Sequence, residues 1–490
     1  MLLLLIIFAG AFLRFYNLGK ESFRVDEATT AITLKNYSLK EIFMNTFFKG
    51  QILPGYLTSN LDFSVYYLLL KIWSDVFGIN EISLRAFSAI FGSLSIILIY
   101  LLAKELFNSK IGIISTLIFS LNVVLIERSQ EARLYSFIVF IVLLSAYLFL
   151  KYQKTNKNKY LIGFGAVNLL GIYTSPIFIF FFAFEAVYLL YTTLADFTRS
   201  KKLKIKKIHL CFLILLVAYL PLTPNMLHPK VEGLRFSGSM SISGLAKIFL
   251  QYNSWLYPTS DFAYKINNSQ FNLFTPFEWF MVFSIFLLAL VLSVFFIKFL
   301  FNFKKKDKQS LIFSAMFLVV PFCVFFVVLY KVISIFPSNI YVIYTIPAYF
   351  IIASYGISYL NKKHMIAVLI IISLLSLIPI YSYYFNLRYP QYREAVFFLE
   401  KNADKNDAIL LNLESVKIPF NYYSTKLNNV YGIANEADVK KLSENKTSVW
   451  LLLSTKYADQ KGLIKKYFNE NYKLIQTKRF FEVDLYHYVK

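Results

Sequence analysis

Long apolar runs recur along most of the chain, and no other feature limits its folding so strongly. About 20 apolar helical residues cross a bilayer core of about 30 Å. Eleven stretches of that kind occur, at 1–18, 83–106, 111–127, 134–151, 160–175, 177–194, 208–223, 277–300, 311–330, 340–360 and 365–385. Residues 160–194 are too long for one helix and break at Thr174-Ser175-Pro176. The first run lacks a basic leader and a small-residue cleavage site before Arg14, so it is expected to stay as an uncleaved span. Hydrophobic residues make up 57% of the 490 and charged residues 16%, where a soluble domain carries about 25% charge. A water-facing globule is excluded, and so is a disordered chain, which needs low hydrophobicity. The pattern predicts a polytopic α-helical membrane protein of about 11–13 transmembrane helices.

Orientation follows from the basic residues between spans. The loops 104–110, 151–159, 199–207, 298–308 and 361–364 hold 2, 4, 6, 5 and 2 Lys+Arg, nineteen in all. The alternate loops 128–133, 174–176 and 331–339 hold 2, 0 and 1. The first group is expected to be cytoplasmic, in a plasma membrane, with the N-terminus inside and the C-terminus outside. The net charge of +23 is then largely a topology signal, and nucleic-acid binding loses its main support. Cys211 and Cys323 lie in separate apolar stretches and suggest neither a disulfide framework nor a metal cluster.

Three polar segments fall on the outer side. In 14–82, the apolar residues Val65, Leu68, Leu69, Ile72 and Val76 share a helical face and predict an interfacial helix. The segment 224–276 is long enough for a lid or re-entrant element. In 388–490, helical patterns at 392–402, 436–444 and 461–470 alternate with strand-like runs at 408–413, 449–454 and 480–489, which predicts a small α/β domain. The expected division is therefore 1–387 and 388–490. Asn267 and Asn445 open Asn-x-Ser/Thr patterns there, with a high chance rate.

Charges near outer span ends are the candidates for chemistry. Asp26-Glu27 supplies adjacent carboxylates, suited to a general base or to a divalent cation; the plain alternative is an acidic pair at a helix N-terminus. Glu127-Arg128-Ser129-Gln130-Glu131-Ala132-Arg133-Leu134-Tyr135 is a dense polar hairpin between apolar spans. Arg128 and Arg133 suit an anionic headgroup, because guanidinium matches phosphate bidentately; the alternative is interfacial snorkelling. Arg85, at the start of the second span, is a third phosphate candidate or a simple anchor. Glu185, inside the sixth span, is left out of the site.

These residues, in this order, resemble a known pattern. Arg14-Phe-Tyr-Asn-Leu-Gly19 followed by Asp26-Glu27-Ala28, the run Leu84–Gly92, and Ser129-Gln130-Glu131-Ala132-Arg133-Leu134-Tyr135-Ser136 are similar to motifs of the glycosyltransferase family 39 and 83 group. That group holds the protein O-mannosyltransferases and the aminoarabinose transferases of lipid A. The resemblance implies a GT-C-type enzyme that moves a sugar from a polyprenyl- or dolichyl-phosphate carrier to an acceptor hydroxyl, with inversion. It makes Asp26 the catalytic carboxylate, with Glu27 beside it, and Arg133, Arg128 and Arg85 the phosphate contacts. Glu131, Gln130 and Tyr135 complete the site. Acceptors left open are a glycan, a lipid or a protein. A divalent metal on Asp26, Glu27 and Glu131 is a candidate, and no cofactor is certain.

Three departures from the family pattern stand out. Arg24 replaces a Trp two residues before the aspartate and becomes a further phosphate candidate. Asp62-Phe63-Ser64 stands where a cation is usual, and Asn339-Ile340-Tyr341 where an Arg-Tyr pair is usual. Two other classes compete with the enzyme reading. A lipid-linked sugar flippase would carry midplane polar groups and inverted repeats, and neither is visible. A receptor-like protein would work through 388–490 and tolerate loss of Asp26.

Overall fold

The structure is a computed structural model and describes residues 1–48, 65–202, 205–222, 248–250, 252–254, 271–301, 307–328, 342–433, 436–444, 446–454, 459 and 462–490. Its helical part begins with α1 (Leu2–Phe15), α2 (Val25–Asn36), α3 (Leu39–Phe48), α4 (Val65–Phe77) and α5 (Glu81–Leu106). It continues through α6 (Ser109–Leu121), α7 (Val123–Ser129), α8 (Tyr135–Thr155), α9 (Asn158–Ile172), α10 (Phe178–Ser200) and α11 (Lys207–Tyr219). It ends with α12 (Pro276–Phe301), α13 (Lys308–Val328), α14 (Ile346–Ile357) and α15 (Lys362–Phe385). Ten of the eleven apolar runs coincide with one helix each, and 111–127 is divided between α6 and α7. Among the described residues, six helices are long and apolar enough to cross a membrane, and a seventh span is counted if α6 and α7, bent by 65°, form one. The bend has a local cause. Asn122 leaves the helical region and its side chain accepts from the Leu125 amide at 3.1 Å, so a new helix starts there.

Helix α12 shows what surrounds this bundle. Trp279, Phe283, Phe286, Leu290, Val294 and Ile297 form an exposed stripe, while Met281, Ile285, Leu288, Leu292 and Phe295 are buried. Both faces are apolar, so the outer one meets lipid rather than water. The chain is a multi-pass membrane protein. Several of the basic loops meet at one end of the bundle: Lys151 and Lys154 pair with Glu105 at 2.5 and 3.2 Å, and Lys110 donates to Ser358 O at 2.7 Å.

At the opposite end lies the α/β part. It contains α16 (Tyr392–Asn402), α17 (Lys417–Tyr423), α18 (Glu436–Ser443) and α19 (Leu463–Asn471) around a five-stranded sheet. The strands are β1 (Ala408–Leu411), β2 (Val430–Gly432), β3 (Ser448–Ser454), β4 (Lys473–Phe480) and β5 (Val483–Val489), in the order β2-β1-β3-β5-β4. The first three are parallel and the last two antiparallel. The expected strand run 480–489 holds β5, and an unpredicted β4 precedes it across a turn at residues 481–482. One face of the sheet shares its core with α16, α17 and the helical bundle, through Trp450, Leu452, Val483 and Leu485. The other face buries Phe468, Tyr486 and Tyr488 in a core of its own.

Most of 224–276, both Asn-x-Ser/Thr asparagines, Asp62-Phe63-Ser64 and Asn339-Ile340-Tyr341 lie outside the described residues. The expected interfacial helix 65–76 is α4, which buries Tyr66, Leu68 and Leu70 and exposes Ile72 and Val76.

Candidate active site

The site is built where α2, the start of α5 and the hairpin after α7 converge. Helix α2 opens with its carboxylates in the first turn, where the macrodipole favours them. Glu27 reaches back to the Arg24 amide at 3.3 Å, and Asp26 Oδ1 accepts from the Glu27 amide at 3.0 Å. The hairpin is pressed onto α5 at Gly92, where a Cβ would stand 2.1 Å from Ser129 Oγ. Ser88 then binds the hairpin twice: its hydroxyl donates to Arg133 O at 3.1 Å, and its carbonyl accepts from Ser136 at 2.9 Å. Gln130 fastens the hairpin to the end of α1, its amide donating to Leu13 O and Arg14 O at 3.1 Å and Tyr16 O at 2.8 Å. Arg14 itself is buried and donates to Gly10 O at 2.9 Å and to Ser120 O at 3.4 Å, the latter a carbonyl that the end of α6 leaves open.

Charge is arranged here in two ways. Glu27, with its side chain 1% exposed, takes a fork from Arg85 at 3.0 and 2.9 Å and a third bond from the Ala132 amide at 3.0 Å. With the Arg24 amide, its four acceptor sites are filled. Arg85 spends its remaining N–H groups on Leu18 O and Glu21 O at 2.8 Å and Ser22 O at 3.1 Å. Burial pushes the Glu27 carboxyl up, and Arg85 then overcomes that and holds it below its usual range.

The second arrangement is an alternating ladder. Arg133 Nε lies 3.8 Å from Asp26 Oδ2, and Asp26 Oδ1 lies 3.4 Å from Arg24 Nε. Arg24 reaches Glu131 at 3.0 Å, which Arg128 meets at 2.6 Å. Arg128 stands 3.4 Å from Glu127, whose other oxygen takes Arg388 at 2.6 Å. Four guanidiniums and three carboxylates leave one formal positive charge. Asp26 is the most open carboxylate of the ladder, with 36% of its side chain exposed against 3% for Glu131. Burial raises its proton affinity, but Arg24 and then Arg133 outweigh this and hold it below the ordinary carboxylate range. Tyr135 lies under the Arg128 guanidinium at 5.5 Å, and Tyr67 under Arg133 at 5.9 Å.

A cavity of about 30 Å³ adjoins the ladder, lined in part by Glu21, Glu127, Gln130, Glu131 and Tyr389. It has room for about two waters. Glu127 Oε2 and Glu131 Oε2, which lack a protein hydrogen bond, belong to residues on its wall.

A family profile described as dolichyl-phosphate-mannose-protein mannosyltransferase matches residues 64–224. An uncharacterised protein of Aquifex aeolicus (strain VF5) is 30% identical over 160 residues, 32% of this chain and 31% of that one. YkcB of Bacillus subtilis (strain 168), which carries a provisional mannosyltransferase name, is 27% identical over 192 residues, 38% of this chain and 26% of YkcB. The matched stretch thus spans less than a third of either relative. Among solved structures, ArnT from Cupriavidus metallidurans bound to undecaprenyl phosphate superposes with a TM-score of 0.59 at 12% identity, over 99% of this chain and 97% of ArnT. The apo oligosaccharyltransferase of Archaeoglobus fulgidus gives 0.53 at 11% identity, over 95% and 72%. The chain shares the fold of these two proteins.

The structure gathers Asp26, Glu27, Arg24, Arg85, Arg128, Gln130, Glu131, Arg133 and Tyr135 at one end of the bundle. Two assignments change. Arg85 has no N–H left for a lipid phosphate, and Glu27 has no lone pair left for a proton or a cation. The Asp26, Glu27 and Glu131 metal candidate does not fit either: each carboxylate is engaged by guanidinium, and among the described residues no group of three His, Cys, Asp or Glu could hold an ion. The hairpin arginines do not snorkel; their side chains are 12% and 11% exposed. Glu185 is far from the ladder in sequence and packing, accepting from Ser145 at 2.6 Å inside the bundle. Two residues were missed, Arg388 and Tyr389. Tyr389 donates to Glu127 at 2.8 Å and lies under Arg24 at 4.8 Å. The signal for them was Arg388-Tyr389 directly after the last apolar run.

Proposed function

We propose that this chain is a GT-C-type glycosyltransferase that moves a sugar from a polyprenyl- or dolichyl-phosphate carrier to an acceptor hydroxyl on the extracytoplasmic face. The observation that carries the reading is Asp26, an accessible carboxylate between two guanidiniums at the end of the bundle opposite the basic loops. The acceptor O–H gives its proton to Asp26, and the oxygen attacks the anomeric carbon from the face opposite the phosphate. The bond from that carbon to the phosphate oxygen breaks, its electron pair stays on oxygen, and the configuration inverts. The leaving carrier changes from a phosphodiester to a monoester and gains negative charge. Arg24, Arg133 and Arg128 answer that charge where it develops, in a site already biased by one positive charge.

Glu27 and Arg85 act through position. Their pair fixes the first turn of α2 against α5 and so aims Asp26. The likeness of the fold to a protein solved with undecaprenyl phosphate supports a carrier of that class.

The test uses the full-length chain in detergent with undecaprenyl-phosphate mannose and, separately, other undecaprenyl-phosphate sugars, offered to membrane extracts. The expected result is time-dependent release of undecaprenyl phosphate with one probe, and a product of opposite anomeric configuration by NMR. Retention of configuration would contradict the single displacement, and release with no transfer to any extract would contradict the transferase reading.

A further inference from the structure

The α/β part is joined to the bundle by the linker 386–391, and that linker is tied down along its length. Lys20 donates to Asn386 O at 3.0 Å, Glu21 accepts from the Arg388 amide at 2.7 Å, and Gln391 donates to Phe481 O at 3.0 Å. The Arg388 side chain is 7% exposed and lies between the rings of Tyr383, at 5.0 Å, and Tyr389, at 5.2 Å. Its ion-pair partner is Glu127, and its Nε and Nη1 have no protein hydrogen bond.

Arg388 is not needed to dock the α/β part. Arg393 pairs with Glu81 at 2.9 Å, Tyr423 donates to Glu81 at 2.7 Å and accepts from the Phe23 amide at 2.7 Å, and Tyr422 donates to Ile79 O at 2.9 Å. What Arg388 contributes that these do not is charge at the end of the ladder. We propose that Arg388, supported by Tyr389, is a positioning residue of the active site, which holds Glu127 so that Arg128 stays on Glu131 and Arg24 stays on Asp26.

Without Arg388, Glu127 is buried with Arg128 as the one cation within ion-pair distance among the described residues. It then pulls Arg128 from Glu131, and Glu131 in turn draws Arg24 from Asp26. The ladder also falls from four positive and three negative charges to three of each, so an incoming phosphate meets no net attraction. Removing the Glu127 charge as well restores an excess of one. The linker that carries Arg388 is therefore a working piece of the site rather than a simple tether.

This inference rests on the proposed function, and two readouts separate them. The first is turnover of undecaprenyl-phosphate mannose by the full-length chain. Arg388→Ala should lower kcat/KM at least tenfold, and adding Glu127→Gln should bring it back to within threefold of the parent. Arg388→Lys, which keeps the charge and loses the fork, should fall between. Arg393→Ala, which loosens only the docking, should leave kcat/KM near the parent value, with no gain from Glu127→Gln. The second readout is binding of undecaprenyl phosphate alone, titrated by native mass spectrometry, which should show the same loss and recovery. If Arg388→Ala does not fold, Arg388→Lys with and without Glu127→Gln gives the same comparison. Failure of Glu127→Gln to restore either readout, or an equal loss in Arg393→Ala, overturns the positioning role. Loss and recovery of binding in a chain that turns over no probe would uphold it and refute the transferase reading.

Discussion

Two of the regions that bury carboxyl groups do so on opposite terms. Inside the bundle, Glu185 meets neutral partners: it accepts from the Ser145 hydroxyl at 2.6 Å, and Asn168 supports that serine at 2.8 Å. At the end of the bundle, seven alternating charges hold one another from Arg133 to Arg388. Buried charge is costly unless paired and hydrogen-bonded. The isolated group satisfies itself with local contacts and can do little else. The ladder keeps many charges at partial exposure, with one carboxylate open to solvent. The difference separates a polar group that joins helices from a set of groups arranged for chemistry.

The comparison can be broken most severely at Arg85. Arg85→Ala leaves Glu27 buried and unpaired, and should cost about 3–5 kcal/mol, a large share of the roughly 5–15 kcal/mol that holds a protein folded. Thermal unfolding in detergent would show it, and an unchanged transition would mean that Glu27 finds another partner. Gly92→Ala acts on the same region by contact. Its methyl group would collide with Ser129 and should cost about 1–3 kcal/mol, while shifting the hairpin that carries Arg133. A smaller effect is expected from pH. Asp26 is held below the ordinary carboxylate range, so turnover should persist down through that range and fall only as pH drops through the lowered value in the folded protein. Arg24→Gln removes its principal cation and should move that acid limb upward; a limb that stays in place would assign it to another group. The smallest effect belongs to the isolated carboxyl. Glu185→Gln keeps an acceptor for Ser145 and should change stability by about 1 kcal/mol or less, with turnover intact.

Much of this was legible in the sequence because it is local. The apolar runs fixed where the helices lie, and the polar hairpin at 127–135 was dense enough to stand out. The first helix of the α/β part, 392–402, was read to its boundaries because its apolar spacing is regular. Other elements lacked that signal. Helix α17 contains Pro419, β2 has three residues, and β4 is exposed along nearly all its length, so it shows no alternation. The pairing of Arg85 with Glu27 spans 58 positions, and that of Arg388 with Glu127 spans 261. No spacing rule reaches so far. Sequence pattern could mark four arginines as interesting, but only their partners distinguish the saturated guanidinium of Arg85 from those of the ladder.

The central claim is that Asp26 removes the acceptor proton during transfer from an isoprenoid phosphate. The direct measurement is the initial rate of the Asp26→Asn chain on whichever undecaprenyl-phosphate sugar the parent consumes, together with its binding of undecaprenyl phosphate. The account predicts a rate about 10²–10⁴-fold lower, with folding and carrier binding retained. Turnover equal to the parent in an Asp26→Asn chain that folds and binds the carrier would contradict it.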